Sequence, residues 1–333
     1  MPLPPKSIVR RAGKNVVSTG SVYSVAPEDL EILDEWRKAH LHPLTTIAMW
    51  LRKPALDQNG LAPAQRLKRR DTFLEKLISG RAKDASTMHD LGGCRLIFPD
   101  TDSLNQFRRY LNSESRARHK LLHDKDKYDY ISSPKRTGYR GVHYVYGYAP
   151  SSSKNKHLRG LKVEVQLRTG VQHAWATAVE IADLVSDTRT KFEDGSGDYG
   201  EFFRLASELL SRQHEGLRSC CADLTDDALK DAFWGLENRI GLLDRLSKLR
   251  EQGDISRIRQ HTVLAFMADD TVEIFGFTKA ASAVEKEREL LANLGCVNVV
   301  YVSSASTSSI RSSYRNYLTN PEDFVGLLKM ALE

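Results

Sequence analysis

Residues 161–169 read LKVEVQLRT, and this alternation of apolar and polar side chains is typical of a β-strand. The apolar side chains would form one face and the polar ones the other, because successive residues of a strand point to opposite sides. The polar set is Lys162, Glu164, Gln166 and Arg168. Either an edge strand that faces solvent or a cleft lined with functional groups explains such a face. A helix carrying His173 and Trp175 follows directly.

Two further strands are predicted on either side of a polar stretch. Residues 142–148 (VHYVYGY) alternate, and residues 94–98 (CRLIF) form a short apolar run before Pro99. Helical periodicity is predicted from residue 27, near 44–51, over 64–79 with Gly80 as its C-terminal glycine, and over 102–112. Residues 1–26 are predicted to be irregular. Helices mixed with strands predict an α+β fold with an α/β-like core.

The second half is organised differently. A glycine-rich polar segment at 188–200 marks a boundary, and two long helical patterns follow at 201–223 and 226–252, the second capped by Thr225. The simplest interpretation of these helices is a structural arm. From residue 260 the order is strand, turn, strand, helix, strand and a final helix at 321–332. We therefore expect a catalytic domain at 1–195, a helical linker at 196–258 and a small C-terminal α/β domain at 259–333.

The composition is that of a soluble globular protein. Of 333 residues, 41% are hydrophobic and 28% charged, and no apolar run approaches the ~20 residues that span a bilayer. The N-terminal segment lacks the apolar core of a secretory signal, and the four cysteines show no C-x-x-C spacing, so a reducing cytoplasm without membrane association is expected. The net charge of +6 favours anionic partners such as phosphates or nucleic acid.

Acidic and basic side chains suited to phosphate chemistry occur in two segments. Asp90 lies just before a predicted strand, where it could bind a metal ion or simply cap a turn. Lys68, Thr72 and Lys76 recur every four residues and would share one face of a helix, a pattern that could bind a triphosphate but is weak in isolation. Neither a Walker A loop nor a dinucleotide fingerprint is present.

A third segment, residues 127–148, reads KYDYISSPKRTGYRGVHYVYGY. The pairs Pro134-Lys135 and Thr137-Gly138 predict a turn that presents Lys135, Tyr139, Arg140 and His143. A tyrosine between basic side chains suits stacking on a nucleic-acid base. Taken alone, the segment is explained more often by a surface loop with one packed tyrosine.

Taken in series, these motifs resemble the RelA/SpoT synthetase domain. The resemblance rests on R-x-K-x-x-x-T-x-x-x-K at 66–76, the D-L-x-x-x-R strand from Asp90, the D-Y-I-x-x-P-K-x-x-G-Y-x-x-x-H loop at 129–143, and E-V-Q-L-R-T at 164–169. It spans about residues 25–185. It implies a nucleotidyltransferase-like mixed sheet flanked by helices, and transfer of pyrophosphate from ATP to a 3′-hydroxyl.

The resemblance also assigns roles to individual residues. It implies that ATP is bound by Arg66, Lys68, Thr72 and Lys76. Asp90 and Glu164 would be the catalytic acidic pair; Asp90 would bind Mg²⁺, and Glu164 would serve the metal or take the proton from the attacking hydroxyl. Tyr139 would stack on the acceptor base. Lys135, His143, Gln166 and Arg168 would lie near that acceptor.

The C-terminal residues resemble the fused antitoxin end of the CapRel toxic synthetases. Tyr314 and Tyr317 form a Y-x-x-Y element that would cover the ATP site in a self-inhibited state. The intervening strands and helix are similar to that family's pseudo-zinc-finger. This resemblance implies that the acceptor is the 3′ CCA end of tRNA, that translation is blocked, and that a phage protein such as a major capsid protein releases the inhibition.

One departure bears on the acceptor. Synthetases that make (p)ppGpp commonly carry Glu-His where this chain has Val179 and Glu180. An alarmone synthetase that uses GDP or GTP is the first alternative to a tRNA-modifying toxin. A catalytically inert RNA-binding sensor is the second, and the retained Asp90 and Glu164 argue against it.

Overall fold

A computed structural model describes residues 3–68, 70–113, 118–185, 197–248, 250–252, 259, 261–267, 269, 271–292, 295–303 and 320–333. The chain divides into two compact units. The first comprises residues 1–130 and 141–170, and the second comprises residues 131–140 and 171–333. The domain boundaries predicted at 195 and 258 stay a prediction.

The first unit is built on a mixed sheet of five strands. The strands are β1 (Ala64–Leu67), β2 (Gly92–Phe98), β3 (Lys120–Leu121), β4 (Val142–Gly147) and β5 (Lys162–Thr169). Their order is β1-β2-β5-β4-β3; β2 and β5 run parallel, and the other neighbours are antiparallel. The predicted mixed sheet flanked by helices is therefore confirmed.

Helices of the first unit cover one face and one end of this sheet. They are α1 (Lys6–Thr19), α2 (Pro27–Lys38), α3 (Leu41–Leu56), α4 (Arg70–Ile78) and α5 (Thr101–Ser113). Helices α3 and α5 pack on the face of β2 and β5 that carries Leu96, Phe98 and Val165, all fully buried. Helices α1, α2 and α4 share a separate cluster around Trp36 and Phe73.

Two sequence predictions in this unit are wrong. Residues 6–19 are helical rather than irregular, because Val9, Ala12 and Val16 recur at helical spacing and are buried against α2 and α4. Residues 64–67 form strand β1 rather than the start of a helix, because they pair with β2 along its free edge. Lys68 consequently precedes α4 and does not lie on it, whereas Gly80 follows the helix with the positive φ of +72° that was expected there.

The second unit combines helices with a smaller sheet. Its elements are α6 (Gly170–Val185), α7 (Gly197–Glu215), α8 (Asp226–Ile240), α9 (Leu242–Lys248), β6 (Arg250–Gln252), β7 (His261–Met267), β8 (Thr271–Phe277), α10 (Ala280–Leu291), β9 (Cys296–Ser303) and α11 (Asn320–Leu332). The sheet order is β6-β8-β7-β9. The predicted second long helix is interrupted at Gly241, where φ is +60°, while the Thr225 cap is confirmed by its bond from Ala228 N at 3.2 Å.

The core of the second unit joins α6, α7, α8 and α11. Phe203 of α7 lies against Trp175 of α6 and Phe324 of α11, with ring centroids 6.0 Å apart in both pairs. Phe324 and Leu328 are fully buried. The C-terminal helix is therefore an integral part of this core. No helix within the described residues is long and apolar enough to cross a bilayer.

Candidate active site

The sheet of the first unit has a polar face opposite the one covered by α3 and α5. Side chains directly opposite each other on paired strands share a face. Arg66 pairs with Gly93, Arg95 with Gln166, and Gln166 with His143. The face therefore carries Arg66, Arg95, His143, Glu164, Gln166 and Arg168. Since β5 lies between β2 and β4, the edge-strand explanation of its polar residues is wrong.

Asp90 binds both lysines that were predicted to hold ATP. Its Oδ2 accepts hydrogen bonds from Lys76 Nζ at 2.8 Å and Lys68 Nζ at 3.0 Å. The three side chains are only 17–30% exposed. Burial raises the pKa of Asp90, but the two ammonium groups together outweigh it and hold the pKa below its usual value. Asp90 is therefore ionised at neutral pH.

Backbone contacts fix this cluster. Lys68 N donates to the Leu91 carbonyl at 2.9 Å, which ties the end of β1 to the start of β2. The Lys68 carbonyl accepts from Arg37 of α2 at 3.1 Å. Lys76 lies on α4, whose Phe73 and Leu77 are buried against α1 and α2. Each cation is thus positioned by a different element: of the three residues with fourfold spacing, only Thr72 and Lys76 share helix α4.

Glu164 begins a chain of hydrogen bonds along β5. Its Oε1 lies 3.1 Å from His143 Nδ1, and its Oε2 accepts from Gln166 Nε2 at 2.8 Å. Gln166 Oε1 in turn accepts from Arg168 Nη2 at 3.2 Å. Burial raises the pKa of Glu164, but the contacts with His143 and Gln166 outweigh it and lower the pKa overall. Asp90 acts against that lowering, which means that the two carboxylates interact electrostatically.

The two carboxylates suit Mg²⁺ that arrives with a substrate. No cluster of three or more acidic, histidine or cysteine side chains forms a metal cage among the described residues. Mg²⁺ commonly uses one or two carboxylates together with substrate phosphates rather than a full protein cage. A β-carbon built on Gly93 would meet only the Glu164 carbonyl oxygen, at 3.7 Å, among the described atoms. Space for a ligand therefore lies beside Glu164, and the donor set fits the ion.

Other predicted ATP-binding residues lie nearby in the fold without such defined contacts. Arg66 is exposed on β1, and its register opposite Gly93 places it on the polar face. Thr72 is half-buried on α4, one turn before Lys76. Arg95 belongs to the same polar face and was not among the predicted site residues, although the final arginine of the D-L-x-x-x-R motif marked it.

Lys135 and Tyr139 belong to the second unit, unlike His143, Gln166 and Arg168. The predicted turn is present: Gly138 N donates to the Lys135 carbonyl at 2.8 Å and Lys135 N to the Tyr139 carbonyl at 3.1 Å. Lys135 Nζ lies 5.0 Å from the centroid of the Tyr139 ring. Arg140 was expected to be presented by this turn, but its side chain is only 2% exposed.

Tyr314 and Tyr317, predicted to be autoinhibitory, lie outside the described residues. Their role stays a prediction. Val179, one of the two departures from the (p)ppGpp pattern, is half-buried on α6 and packs against the core of the second unit.

Comparison with known proteins agrees with the motifs. Residues 65–184 match the model of the region found in RelA and SpoT proteins. No curated protein sequence matches the chain.

Similar solved structures include small alarmone synthetases and a GTP pyrophosphokinase family protein. Small alarmone synthetase 1 from Bacillus subtilis, bound to its product pppGpp, is 20% identical over 54% of this chain and 92% of its own, with a TM-score of 0.44. A GTP pyrophosphokinase family protein from Streptococcus pneumoniae is 18% identical over 60% and 96%, with a TM-score of 0.43. Small alarmone synthetase 2 from B. subtilis is 21% identical over 52% and 87%, with a TM-score of 0.39.

The matched region includes Arg66, Lys68, Asp90, Glu164 and every other predicted ATP-binding, catalytic and acceptor-binding residue. Residues 65–184 of this chain therefore match the RelA/SpoT region, in agreement with the family prediction made from the four motifs.

Proposed function

We propose that the chain is an ATP-dependent pyrophosphokinase that transfers the β,γ-pyrophosphate of ATP to the 3′-hydroxyl of the tRNA CCA end. The observation that carries the activity is the pairing of Asp90 with Lys68 and Lys76 beside the polar face that holds Glu164, within the matched region. Two carboxylates and several cations in one place suit phosphoryl chemistry, in which catalysis is mainly positioning and charge stabilisation.

The lysines supply the positive charge that the reaction needs. Attack of the hydroxyl oxygen on the β-phosphorus forms a new P–O bond and breaks the bond to the α-phosphate oxygen, and AMP leaves. Negative charge spreads over the phosphate oxygens during this step. Lys68 and Lys76 are held close together by Asp90 and can turn to the phosphates, while Arg66 and Thr72 extend the same binding surface. Asp90 and Glu164 would hold Mg²⁺, which would supply neutralisation of the phosphate charge.

Glu164 has two candidate roles, and its environment favours one. A general base works best with a pKa near the working pH. The contacts with His143 and Gln166 instead lower the pKa of Glu164, despite its burial. We therefore assign Glu164 chiefly to holding the metal and orienting His143, whose Nδ1 it contacts at 3.1 Å.

By resemblance, acceptor binding is assigned to Lys135 and Tyr139 of the second unit and to His143, Gln166 and Arg168 of the first unit. Tyr139, with Lys135 against its ring, offers a stacking surface for a base. His143, Gln166 and Arg168 would bind the sugar and phosphates of the acceptor. These roles follow from the resemblance and from the hydrogen-bond chain along β5.

The choice of tRNA rests on charge and on the departure at positions 179 and 180. The first unit exposes a set of basic side chains suited to phosphate contacts: Arg118, Lys120, Lys125, Lys127, Lys154, Lys156 and Arg159. Such contacts provide most of the sequence-independent affinity for nucleic acid. Val179, packed into the core, replaces an acidic side chain that is common in synthetases that make (p)ppGpp.

Regulation is assigned to the C-terminal part of the chain. By resemblance to the CapRel synthetases, Tyr314 and Tyr317 cover the ATP site. A phage protein such as a major capsid protein relieves this self-inhibition by binding the open form preferentially. The resulting block of translation would end the infection in the cytoplasm of the host.

The test is a labelling reaction with the full-length chain. Removal of residues 260–333 is unsuitable because Phe324 and Leu328 belong to the core of the second unit. The Tyr317→Ala protein is incubated with γ-³²P-ATP, Mg²⁺ and either bulk tRNA or GDP and GTP. Label in tRNA that disappears when the 3′ adenosine is removed supports the proposal.

Two alternatives have distinct outcomes in the same reaction. Label only in guanosine tetra- or pentaphosphate makes the chain an alarmone synthetase and rejects the tRNA acceptor. Retention of tRNA binding without ATP turnover in any reaction identifies an inert RNA-binding sensor. Alanine at both Lys125 and Lys127 is the matched charge test, since it should weaken labelling of tRNA and leave labelling of GDP unchanged.

A further inference from the structure

A buried ion pair attaches the loop at 131–140 to helix α7. The Arg140 guanidinium contacts the Glu215 carboxylate in the last turn of α7, and both side chains are only 2% exposed. Separating such a pair by removing one partner leaves an uncompensated buried charge, which is strongly unfavourable. The pair therefore fixes the end of the loop to one position on the helix.

Polar side chains complete the attachment. Arg140 donates to Ser207 Oγ at 3.2 Å and to Ser211 Oγ at 2.9 Å, so the guanidinium is bound along three successive turns of α7. Gln172 Nε2 donates to Glu215 at 3.0 Å, which adds the first turn of α6 to the network. Planar guanidinium groups hold such multiple bonds in one geometry, which a lysine could not reproduce.

The loop backbone also touches the helix directly. Ser207 Oγ donates to the Gly138 carbonyl at 2.6 Å. A β-carbon on Gly138 would come within 3.0 Å of Arg204 Cα and 3.1 Å of the Phe203 carbonyl. Gly138 additionally has φ +86°. Backbone contact this close requires glycine, and it lies in the turn between Lys135 and Tyr139.

We propose that Glu215 is a positioning residue for the acceptor: through Arg140, helix α7 holds the loop in the conformation that presents Tyr139 and Lys135. This inference rests on the proposed function of that loop. The sequence suggested that α7 is a structural arm, and this helix lies beyond the region matched by the family model. If the proposal holds, α7 is part of the acceptor site.

The test compares two buried carboxylates of the same helix. Glu215→Gln keeps the shape and removes the charge that pairs with Arg140. Glu208→Gln is the matched control: Glu208 is fully buried on α7 and binds Arg212 at 2.7 Å together with the amides of Ser219 and Cys221, away from the loop. Steady-state kinetics with ATP and acceptor are measured for both variants in the Tyr317→Ala background.

Expected results separate positioning from general stability. Glu215→Gln should raise KM for the acceptor at least about tenfold and leave KM for ATP within about twofold, because only acceptor contacts depend on the loop. Glu208→Gln should change neither KM. Glu215→Asp retains the negative charge and should therefore bind the acceptor more tightly than Glu215→Gln does. Equal effects of the Glu215 and Glu208 variants on acceptor KM, or equal loss of ATP and acceptor affinity in Glu215→Gln, would overturn the proposal.

A measurement that does not depend on turnover distinguishes the positioning role of Glu215 from the proposed acceptor role of the loop. Amide hydrogen exchange of residues 131–140 should rise in Glu215→Gln and stay unchanged in Glu208→Gln. Unchanged exchange in Glu215→Gln rejects the positioning role. Raised exchange with an unchanged acceptor KM rejects the acceptor role of the loop instead. If Glu215→Gln folds poorly, Ser207→Ala is the second variant. It removes only the bond to Gly138 and one bond to Arg140, and it must raise the acceptor KM and the amide exchange of residues 131–140 by smaller amounts.

Discussion

Replacing Asp90 by asparagine tests the centre of the proposed site. The substitution keeps the shape of the side chain and removes the charge that Lys68 and Lys76 both contact, at 3.0 and 2.8 Å. It should separate three properties that a general loss of structure would change together: stability, ATP binding and turnover.

The loss of stability should be modest. A hydrogen bond to a charged group contributes about 1.5–3 kcal/mol, but both lysines remain partly exposed and can rehydrate when the carboxylate is gone. We expect the free energy of unfolding to fall by about 1–3 kcal/mol. Asp84→Asn is the matched control, since Asp84 accepts from Arg10 Nε at 2.7 Å and from Ser86 N at 2.8 Å and should cost a similar amount.

ATP binding and turnover should change in opposite directions. In the parent protein, Lys68 and Lys76 must give up hydrogen bonds to Asp90 before they can bind phosphate. Without Asp90 this cost disappears, so metal-free ATP should bind about tenfold more tightly. Turnover should fall at least about 1000-fold, because removal of a group that stabilises transition-state charge, directly or through a metal, costs about 4 kcal/mol. The Asp84 variant should retain wild-type turnover.

The assays, all in the Tyr317→Ala background, are urea unfolding, calorimetric titration of ATP in EDTA, and transfer of ³²P from γ-labelled ATP to the acceptor with Mg²⁺. Turnover of Asp90→Asn within about tenfold of the parent would refute the assignment of Asp90 to the metal and the phosphates. Weaker metal-free ATP binding would refute the argument that Asp90 competes with phosphate for the lysines.

Three further results are expected. Burial lowers the pKa of His40 from 6.5 to about 4, although the hydrogen bond to the Trp36 carbonyl acts to raise this pKa. The free energy of unfolding should therefore be unaffected by His40 above pH 6.5 and should fall by about 3 kcal/mol as the pH drops to 4, because the unfolded state binds the proton first. His40→Gln should flatten the pH dependence of urea unfolding between pH 4 and 6.5. Gly138→Ala should destabilise the protein by about 2–5 kcal/mol in urea unfolding, from its positive φ and its overlap with α7, and a stability equal to the parent would contradict the close contact. Tyr317→Ala should make expression toxic, as measured by growth and by labelling of tRNA; harmless expression with an intact catalytic core would count against inhibition by the Y-x-x-Y element.

Local sequence patterns were sufficient to predict a strand or a motif whose residues are contiguous in the chain. Period-two alternation identified β4 and β5, and the apolar run before Pro99 identified β2. Ordered motifs identified the RelA/SpoT region. These predictions succeeded because side-chain alternation and turn residues act over a few positions. β1 was missed because its stability comes from pairing with β2, which is not local. The first helix does carry local helical spacing at Val9, Ala12 and Val16, but the helices on which these side chains pack, α2 and α4, are not predicted by that spacing.

The site shows the same division. By itself the sequence determined which side chains to propose for the chemistry: Asp90, Lys68, Lys76 and Glu164 were named from motifs, since residue type and spacing are properties of the chain. Only the tertiary structure decided how they meet. It placed Lys68 after a strand instead of on a helix, made β5 an internal strand instead of an edge strand, and buried Arg140 against α7. Pairing partners and burial depend on segments far apart in sequence, which no local pattern encodes.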